Sequence, residues 1–332
     1  MAIVNKYGGS LGALISDITD ASLYCLNPEN LSVSDYSLDL LSELVKNHVS
    51  KPQLTIGIQK VADLGNASFI NEGTVEWILK FFTQLATNVK DLNYKDIIHD
   101  LQGKIVSIKT TLPAKIIATI VTVIPALYSA YIAEYDKTLT TGDNDKKLMS
   151  AIVIGEIGKR KDLSALKDIV KRIDKMFLDE NAQIRQAASH CLGSISHGNV
   201  DFFFPKVLEL IKQDIPHKYL LLVSINDIIV ANRGKEFENI NGLLDILFEN
   251  ANSEEENIRN VVAECLGWLF PDNGTVMVIE LTDKFNSPSK NMLTTVGKAL
   301  KYAVQKNNDV ANLKEIVPNY LDLCRNEDME VR

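Results

Sequence analysis

The chain has few of the residues from which metal sites and redox sites are built. Its 332 residues include only four cysteines, which lie far apart and never form a Cys-x-x-Cys pair. No His-Glu-x-x-His zinc motif occurs, and the glycine-rich run at residues 8–12 has no Lys-Ser/Thr after it, as a phosphate-binding loop would. We therefore assign no catalytic residue, no metal ligand and no cofactor, and we expect a protein that is not an enzyme.

Basic residues are too few for a surface that binds nucleic acid. There are 35 Lys and Arg against 43 Asp and Glu, which gives a net charge of −8. Proteins that bind the phosphate backbone usually present a basic face, so this balance argues against nucleic acid as the main ligand. We expect a protein partner instead.

The sequence also lacks a convincing membrane span. Residues from Ile116 to Ala133 are uncharged, but they include threonines, a serine, two tyrosines and Pro125. We interpret this run as a buried helix interrupted at Pro125, and we expect no membrane association. No secretory signal is visible, and Cys191 and Cys265 lie on an apolar stripe, so we predict buried thiols in a reducing compartment, cytoplasmic and nuclear.

What the sequence does contain is a pattern that returns at fixed spacing. Ile184-Arg185 and Cys191-Leu192-Gly193 recur as Ile258-Arg259 and Cys265-Leu266-Gly267, 74 residues later, which is two units of 37. Midway, the segment from Leu221 to Ile229 keeps the apolar spacing without the Arg or the Gly. A period in this range is typical of a solenoid of stacked helical pairs.

Helical spacing of apolar residues runs through most of the chain, and strand alternation is hard to find. We predict an all-α fold, an α-solenoid of HEAT repeats of the alpha-alpha superhelix or ARM-repeat type. Residues 1–332 are predicted to form a single domain of roughly eight to nine helix pairs, clearest in residues 145–332. Residues 163–177 are predicted as one helix, and the polar stretch from Thr138 to Lys147 as a long loop.

The turn within each repeat carries a second signal. Asp179 stands six residues before Arg185, and this arrangement resembles the HEAT signature of an Asp in the turn and an Arg at the start of the second helix. Before Arg259 the equivalent residue is Ser253, which can cap a helix but supplies no charge. We therefore expect the ladder formed by Asp179, Arg185 and Arg259 to be weak.

Second helices line the concave side of a HEAT solenoid, so their outward residues are the candidate protein-binding face. These residues are polar and recur at the repeat spacing: Gln186, Ser189, His190, Asn226, Asp227, Asn260 and Glu264. A long shallow interface made of many modest contacts needs such a ladder. Ordinary solvated helix surface explains any single member equally well.

Two longer segments of the sequence resemble one particular protein family. Residues 181–199 and the segment Ile258-Arg-Asn-Val-Val-Ala-Glu-Cys-Leu-Gly267 resemble the C-terminal third of the CAND family of cullin-associated and neddylation-dissociated proteins. The resemblance is strong from about Ile154 to Leu269 and thinner upstream. It implies a fragment of a longer HEAT-repeat protein, and we expect this fragment to be monomeric.

The family resemblance implies a function. It suggests a non-catalytic, cullin-binding scaffold fragment of a substrate-receptor exchange factor, an assembly inhibitor of cullin-RING ubiquitin ligases. The partners implied for the full-length protein are unneddylated cullin and its RING subunit. The alternative is a generic HEAT-repeat interaction scaffold of the phosphatase-subunit or transport-receptor type, which has the same fold but no affinity for cullin.

Overall fold

The computed structural model describes residues 12, 14–47, 49–67, 69–213, 216–234, 240–306, 313–329 and 331. These residues contain seventeen α-helices and two short 3-10 turns, and no β-strand occurs among them. They form two compact units, one up to Lys161 and one from Asp162 onward. A single solenoid across residues 1–332 stays a prediction.

Unit 1 contains eight helices whose even-numbered members pack in series. The helices are α1 Leu14–Tyr24, α2 Leu31–Leu44, α3 Lys51–Asp63, α4 Glu72–Asn88, α5 Tyr94–Gly103, α6 Thr111–Val123, α7 Pro125–Thr141 and α8 Asn144–Gly158. Helix α2 packs against α4, α4 against α6 and α6 against α8, while α1, α5 and α7 lie against α2, α6 and α8. This arrangement gives two layers of helices.

Unit 2 repeats the same arrangement more regularly. Its helices are α9 Ile169–Met176, α10 Ala182–Gly198, α11 Val200–Ile211, α12 Lys218–Ala231, α13 Ile240–Ala251, α14 Glu256–Leu269, α15 Gly274–Lys284, α16 Lys290–Lys306 and α17 Leu313–Leu323. Each of α9, α11, α13 and α15 packs on the helix that follows it, and the second helices α10, α12, α14 and α16 pack in series. The predicted all-α solenoid of HEAT repeats is confirmed.

The repeated apolar residues form the core of unit 2. Ile184 on α10 and Ile258 on α14 are buried at equivalent positions, and Leu221 is buried on α12 between them. Cys191 and Cys265 are buried as well, so the prediction that they act as small apolar core residues is confirmed. The sequence period of 37 residues therefore reflects equivalent helices that bury equivalent side chains.

The uncharged run in unit 1 is broken where the sequence predicts. Helix α6 ends at Val123, Ile124 is extended, and α7 begins at Pro125, whose missing amide proton costs nothing at a first helical position. Among the described residues, no helix has the length and apolarity to cross a bilayer.

The predicted long loop from Thr138 to Lys147 is wrong. Helix α7 continues to Thr141 and α8 begins at Asn144, which leaves a two-residue turn. The Asp143 carboxylate accepts a hydrogen bond of 2.9 Å from the Lys146 amide, and the Thr138 and Ser150 hydroxyls lie 2.6 Å apart. The polar residues here cap and join two helices, because exposed backbone groups at helix ends need such partners.

The predicted helix over residues 163–177 is also shorter than expected. Helix α9 begins only at Ile169, because Asp168 has a φ of 62° in the left-handed region, which interrupts a right-handed helix. Aspartate is among the residues that tolerate this conformation. Residues 163–168 form a turn that runs beside α11.

Candidate protein-binding face

All seven residues of the candidate face lie on the second helices α10, α12 and α14 of unit 2. Helix α10 is started by Asn181, whose side-chain oxygen accepts a hydrogen bond of 2.9 Å from the Gln183 amide. Six of the seven face residues are exposed or half-buried, and Gln186 and His190 are the most open. That the face is concave and binds protein stays a prediction.

An arginine fixes the start of each second helix that carries the repeated motif. The Arg185 guanidinium donates to the backbone carbonyls of Asp179 and Glu180 at 2.7 and 2.9 Å. Arg259 donates in the same way to Ser253 and Glu254, at 2.6 and 3.0 Å. This contact does not depend on an acidic residue in the turn, because the acceptor is a main-chain oxygen that any residue supplies. The weak ladder between repeats stays a prediction.

Ser189 does not belong to an exposed surface. It is 1% exposed, and its hydroxyl donates to the Leu220 carbonyl at 2.7 Å and lies 3.2 Å from the Ser224 hydroxyl. Ser189 is covered because helix α12 packs along this side of α10. The prediction that Ser189 lies on the exposed face is wrong. A helix inside a solenoid is flanked by two neighbours, so its solvated stripe is narrower than for a surface helix.

His190 and Asp227 form a solvent-exposed polar contact between the second helices α10 and α12. His190 Nδ1 lies 2.8 Å from Asp227 Oδ2, and the two side chains are 52% and 33% exposed. These residues are 37 positions apart, one full repeat. The pair therefore joins two repeats at the surface and still leaves polar atoms open to a partner.

Asn226 and Cys265 form a polar contact between α12 and α14, one repeat further on. The Cys265 thiol donates to Asn226 Oδ1 at 3.7 Å. Burial raises the pKa of this thiol well above its usual value, and the nearby carboxylates of Glu264 and Asp227 raise it further. Cys265 is thus a protonated core residue and weak donor, and no reactive thiolate forms at the face.

Lys298 continues the series and was not predicted. Its ammonium donates to Asn260 Oδ1 at 2.8 Å and lies 3.3 Å from Glu256 Oε1. Lys298 follows Asn260 by 38 residues, so the repeat spacing could have found it. Glu264, on the same helix as Asn260, is half-buried at the edge of this row.

The face offers no arrangement typical of an active site. Ser189 and His190 are adjacent on one helix and point in different directions, and the serine proton goes to a carbonyl rather than to imidazole. Among the described residues, no three His, Cys, Asp or Glu side chains are grouped to hold a metal ion. What remains is a row of exposed hydrogen-bonding groups along three repeats.

The glycine-rich run at residues 8–12 lies, apart from Gly12, outside the described residues. Its letters also fit the Gly-x-Ser-x-Gly spacing of a nucleophile elbow, which sequence reasoning passed over. Such an elbow requires a strand that turns into a helix.

Comparison with curated proteins connects this helical array to named relatives. The chain is 26% identical over 343 aligned residues to cullin-associated NEDD8-dissociated protein 1 of Dictyostelium discoideum, and the alignment covers 96% of the chain. The Arabidopsis thaliana protein of the same name is 35% identical over 201 residues, 58% of the chain. The Drosophila melanogaster protein is 25% identical over 92% of the chain. The chain is a relative of the CAND family.

The chain spans less than a third of the length of the curated proteins it matches. It spans 28% of the Dictyostelium protein, 16% of the Arabidopsis protein and 27% of the Drosophila protein. No protein-family model matches the chain.

Solved structures that align with the chain include the karyopherin Kap121p. In its complex with the extreme C-terminus of the phosphatase Cdc14p it is 12% identical, with a TM-score of 0.44 over 95% of this chain and 36% of that chain. In its complex with Ste12p the TM-score is 0.45, over 99% of this chain and 37% of that chain. Likeness at this level carries no functional argument.

Proposed function

We propose that this chain is a non-catalytic scaffold that binds unneddylated cullin together with its RING subunit. In that role it contributes to a substrate-receptor exchange factor of cullin-RING ubiquitin ligases, in the cytoplasm and nucleus, and is itself monomeric. The observation that supports the proposal most directly is the similarity to a curated cullin-associated protein along 96% of the chain. The similarity covers both units, so it does not come from one common repeat.

The second-helix face is the surface proposed to contact cullin. Its exposed groups differ from repeat to repeat, with His190 and Asp227, then Asn226, then Asn260, Glu264 and Lys298. Each contact alone is weak in water, but a row across several repeats can add many such contacts with a defined register.

Co-elution tests the proposed partner. The purified chain is mixed with an unneddylated cullin-RING complex, and separately with the same complex after neddylation, and each mixture is run by size exclusion with light scattering. The proposal predicts a one-to-one complex with the unneddylated cullin and a much weaker one after modification. A folded chain that elutes alone in both runs contradicts the proposal and leaves the generic HEAT scaffold as the function.

A matched pair of charge reversals tests the proposed surface. Glu264→Lys changes the second-helix face, whereas Glu249→Lys makes the same change at an exposed position on the first helix α13. We expect Glu264→Lys to weaken cullin binding by roughly three- to tenfold and Glu249→Lys to leave it unchanged. Equal effects of the two substitutions would show that another surface is used.

A further inference from the structure

An open groove lies between α9 and α11, which are both first helices of unit 2. Its volume is about 570 Å³. The lining combines apolar side chains with three lysines, and it includes Ile169, Phe202, Leu210, Lys167, Lys171 and Lys206. We call this the α9–α11 groove. None of its residues belongs to the second-helix face.

Phe202 gives the groove an apolar platform. Its ring packs edge-on against Phe203, at a centroid distance of 5.0 Å and an interplanar angle of 87°. Phe203 is fully buried, so it fixes the position of the neighbouring ring, yet Phe202 itself stays 39% exposed. A fixed aromatic ring left open to water is the kind of surface on which a partner's apolar side chain gains free energy by burial.

Among the described residues, only one of the three lysines at the rim pairs with a carboxylate of the protein. Lys171 lies 2.9 Å from Asp168, and this contact holds the pKa of the Asp168 carboxyl below its usual value. Lys206 Nζ lies 4.3 Å from the Phe202 ring centroid. Over the part of the chain that the structure describes, neither Lys167 nor Lys206 forms an ion pair with a carboxylate. No described carboxylate neutralises either charge, and Lys206 lies over the Phe202 ring.

The lining therefore carries a positive balance in an acidic protein. Three lysines outnumber the two acidic lining residues, Asp168 and Glu209, whereas the whole chain has a net charge of −8. The neighbouring basic residues Lys159 and Arg160 differ, because both contact the buried Glu156 carboxylate, at 2.8 and 3.0 Å. Lys159 and Arg160 thus have a structural role, whereas Lys167 and Lys206 carry charge at the groove.

We propose that the α9–α11 groove binds an acidic peptide segment of a partner protein. An apolar side chain of that peptide packs on Phe202 and Leu210, and its carboxylates pair with Lys167 and Lys206. The apolar lining favours a peptide over a polynucleotide, because an apolar side chain gains free energy when it is buried against Phe202 and Leu210. This proposal is independent of cullin binding, since it concerns the opposite layer of helices.

Fluorescence anisotropy with the full 332-residue chain tests the proposal. The probe is an acetylated, fluorescein-labelled peptide of about twelve residues, with glutamates around one leucine and one phenylalanine. A second probe has glutamine at every glutamate, and a third has alanine in place of the two apolar residues. We expect the first probe to bind roughly tenfold tighter than either control, and more weakly as NaCl is raised.

Charge reversal locates the binding. Lys206→Glu and Lys167→Glu should each weaken the acidic peptide by roughly threefold or more, and the double substitution further. Lys95→Glu makes the same change at an exposed position on α5 in unit 1 and should have no effect. Thermal melting of each variant checks folding.

Three results would overturn the proposal. These are equal affinity for the glutamate and glutamine peptides, an equal effect of Lys95→Glu and Lys206→Glu, or no binding of the acidic peptide. A labelled single-stranded RNA that binds more tightly than the peptide and is weakened by Lys206→Glu would assign the groove to nucleic acid instead.

Discussion

Two glycines set how closely successive second helices approach. A Cβ built on Gly193 would lie 2.6 Å from the Asp227 Cβ, and one on Gly267 would lie 2.4 Å from the Tyr302 Cβ and 3.0 Å from the Ala299 carbonyl oxygen. These neighbours are backbone atoms or atoms attached directly to it, so they cannot turn away. Close helix packing therefore requires glycine at positions 193 and 267. The sequence shows that the glycine recurs after 74 residues, but it does not show why.

Gly267→Ala tests this packing. The added methyl group overfills the contact between α14 and α16, and we expect a loss of about 1 to 3 kcal/mol in the free energy of unfolding, measured by urea denaturation. Gly103→Ala is the matched control, because nothing lies within 4 Å of its built Cβ. The control should be neutral or slightly stabilising. Equal midpoints for Gly267→Ala and the unmodified chain would contradict the packing argument.

The four thiols should fall into two classes. Cys25 and Cys324 are exposed, whereas Cys191 and Cys265 are buried, and burial raises the pKa of the Cys265 thiol. Since the thiolate is the reactive form, we expect Ellman's reagent to modify two thiols quickly at pH 8 in the native chain, and all four in denaturant. Rapid reaction of Cys265 in the native chain, identified by mass spectrometry, would show that α14 does not bury it.

Glu156 should contribute to acid sensitivity of unit 1. Burial acts to raise its pKa, but contacts with Lys159 and Arg160 outweigh burial and hold the pKa below its ordinary value of 4.5. The unfolded chain then takes up a proton at higher pH than the folded one. The ionised Glu156 carboxylate therefore stabilises the folded chain above about pH 4.5, and this stabilisation is lost as the pH falls further.

The measurement for Glu156 is urea unfolding between pH 3 and pH 7. Glu156→Gln should flatten the acid limb of the stability curve, since no carboxylate is left to protonate. Glu134→Gln, an exposed position on α7, should leave the acid limb in place. An acid limb unchanged by Glu156→Gln would mean that other carboxylates control it.

At the scale of helices and turns, the arginine contact explains why the motif survives a change in the turn. Arg185 and Arg259 hold main-chain carbonyls, so the turn can carry Asp179 in one repeat and Ser253 in another. Each guanidinium supplies two donors to one turn, and the first and second helices of the repeat are thereby held at a fixed approach.

Arg259→Met is the corresponding prediction. It keeps much of the apolar stem but removes both hydrogen bonds, and we expect a loss of about 1 to 3 kcal/mol in the free energy of unfolding. Arg325→Met is a suitable control, because Arg325 makes a 3.3 Å contact with Asp322 at an exposed site. A smaller loss for Arg259→Met than for Arg325→Met would contradict the role assigned to the turn contact.

Sequence reasoning succeeded for elements whose signal is periodic. The stripe through Ile184 and Cys191 is buried, and the break at Pro125 lies where the fixed proline ring requires it. Prediction from sequence was wrong where polar residues cap helices or are buried between them. Thr138 and Asp143 look like loop residues but cap and join helices, and Ser189 looks solvated but is covered by the next repeat. Contacts across repeats, such as Lys298 with Asn260, depend on packing that one helix does not reveal.

At the scale of the whole molecule, unit 2 is held together by contacts between neighbours. Helices α10, α12, α14 and α16 pack in series, and each polar contact of the face joins one repeat to the next. Such arrays build an extended surface without a single central core. We propose that this surface, the second-helix face, binds unneddylated cullin.

Hydrogen exchange read by mass spectrometry tests that claim most directly. The chain is labelled alone and with a saturating unneddylated cullin-RING complex, and protection is compared helix by helix. We predict that binding slows exchange in α10, α12 and α14 and in the turns beside them, and leaves the first helices α9, α11 and α13 unchanged. Protection confined to the first helices, or none at all with saturating cullin, would contradict the account.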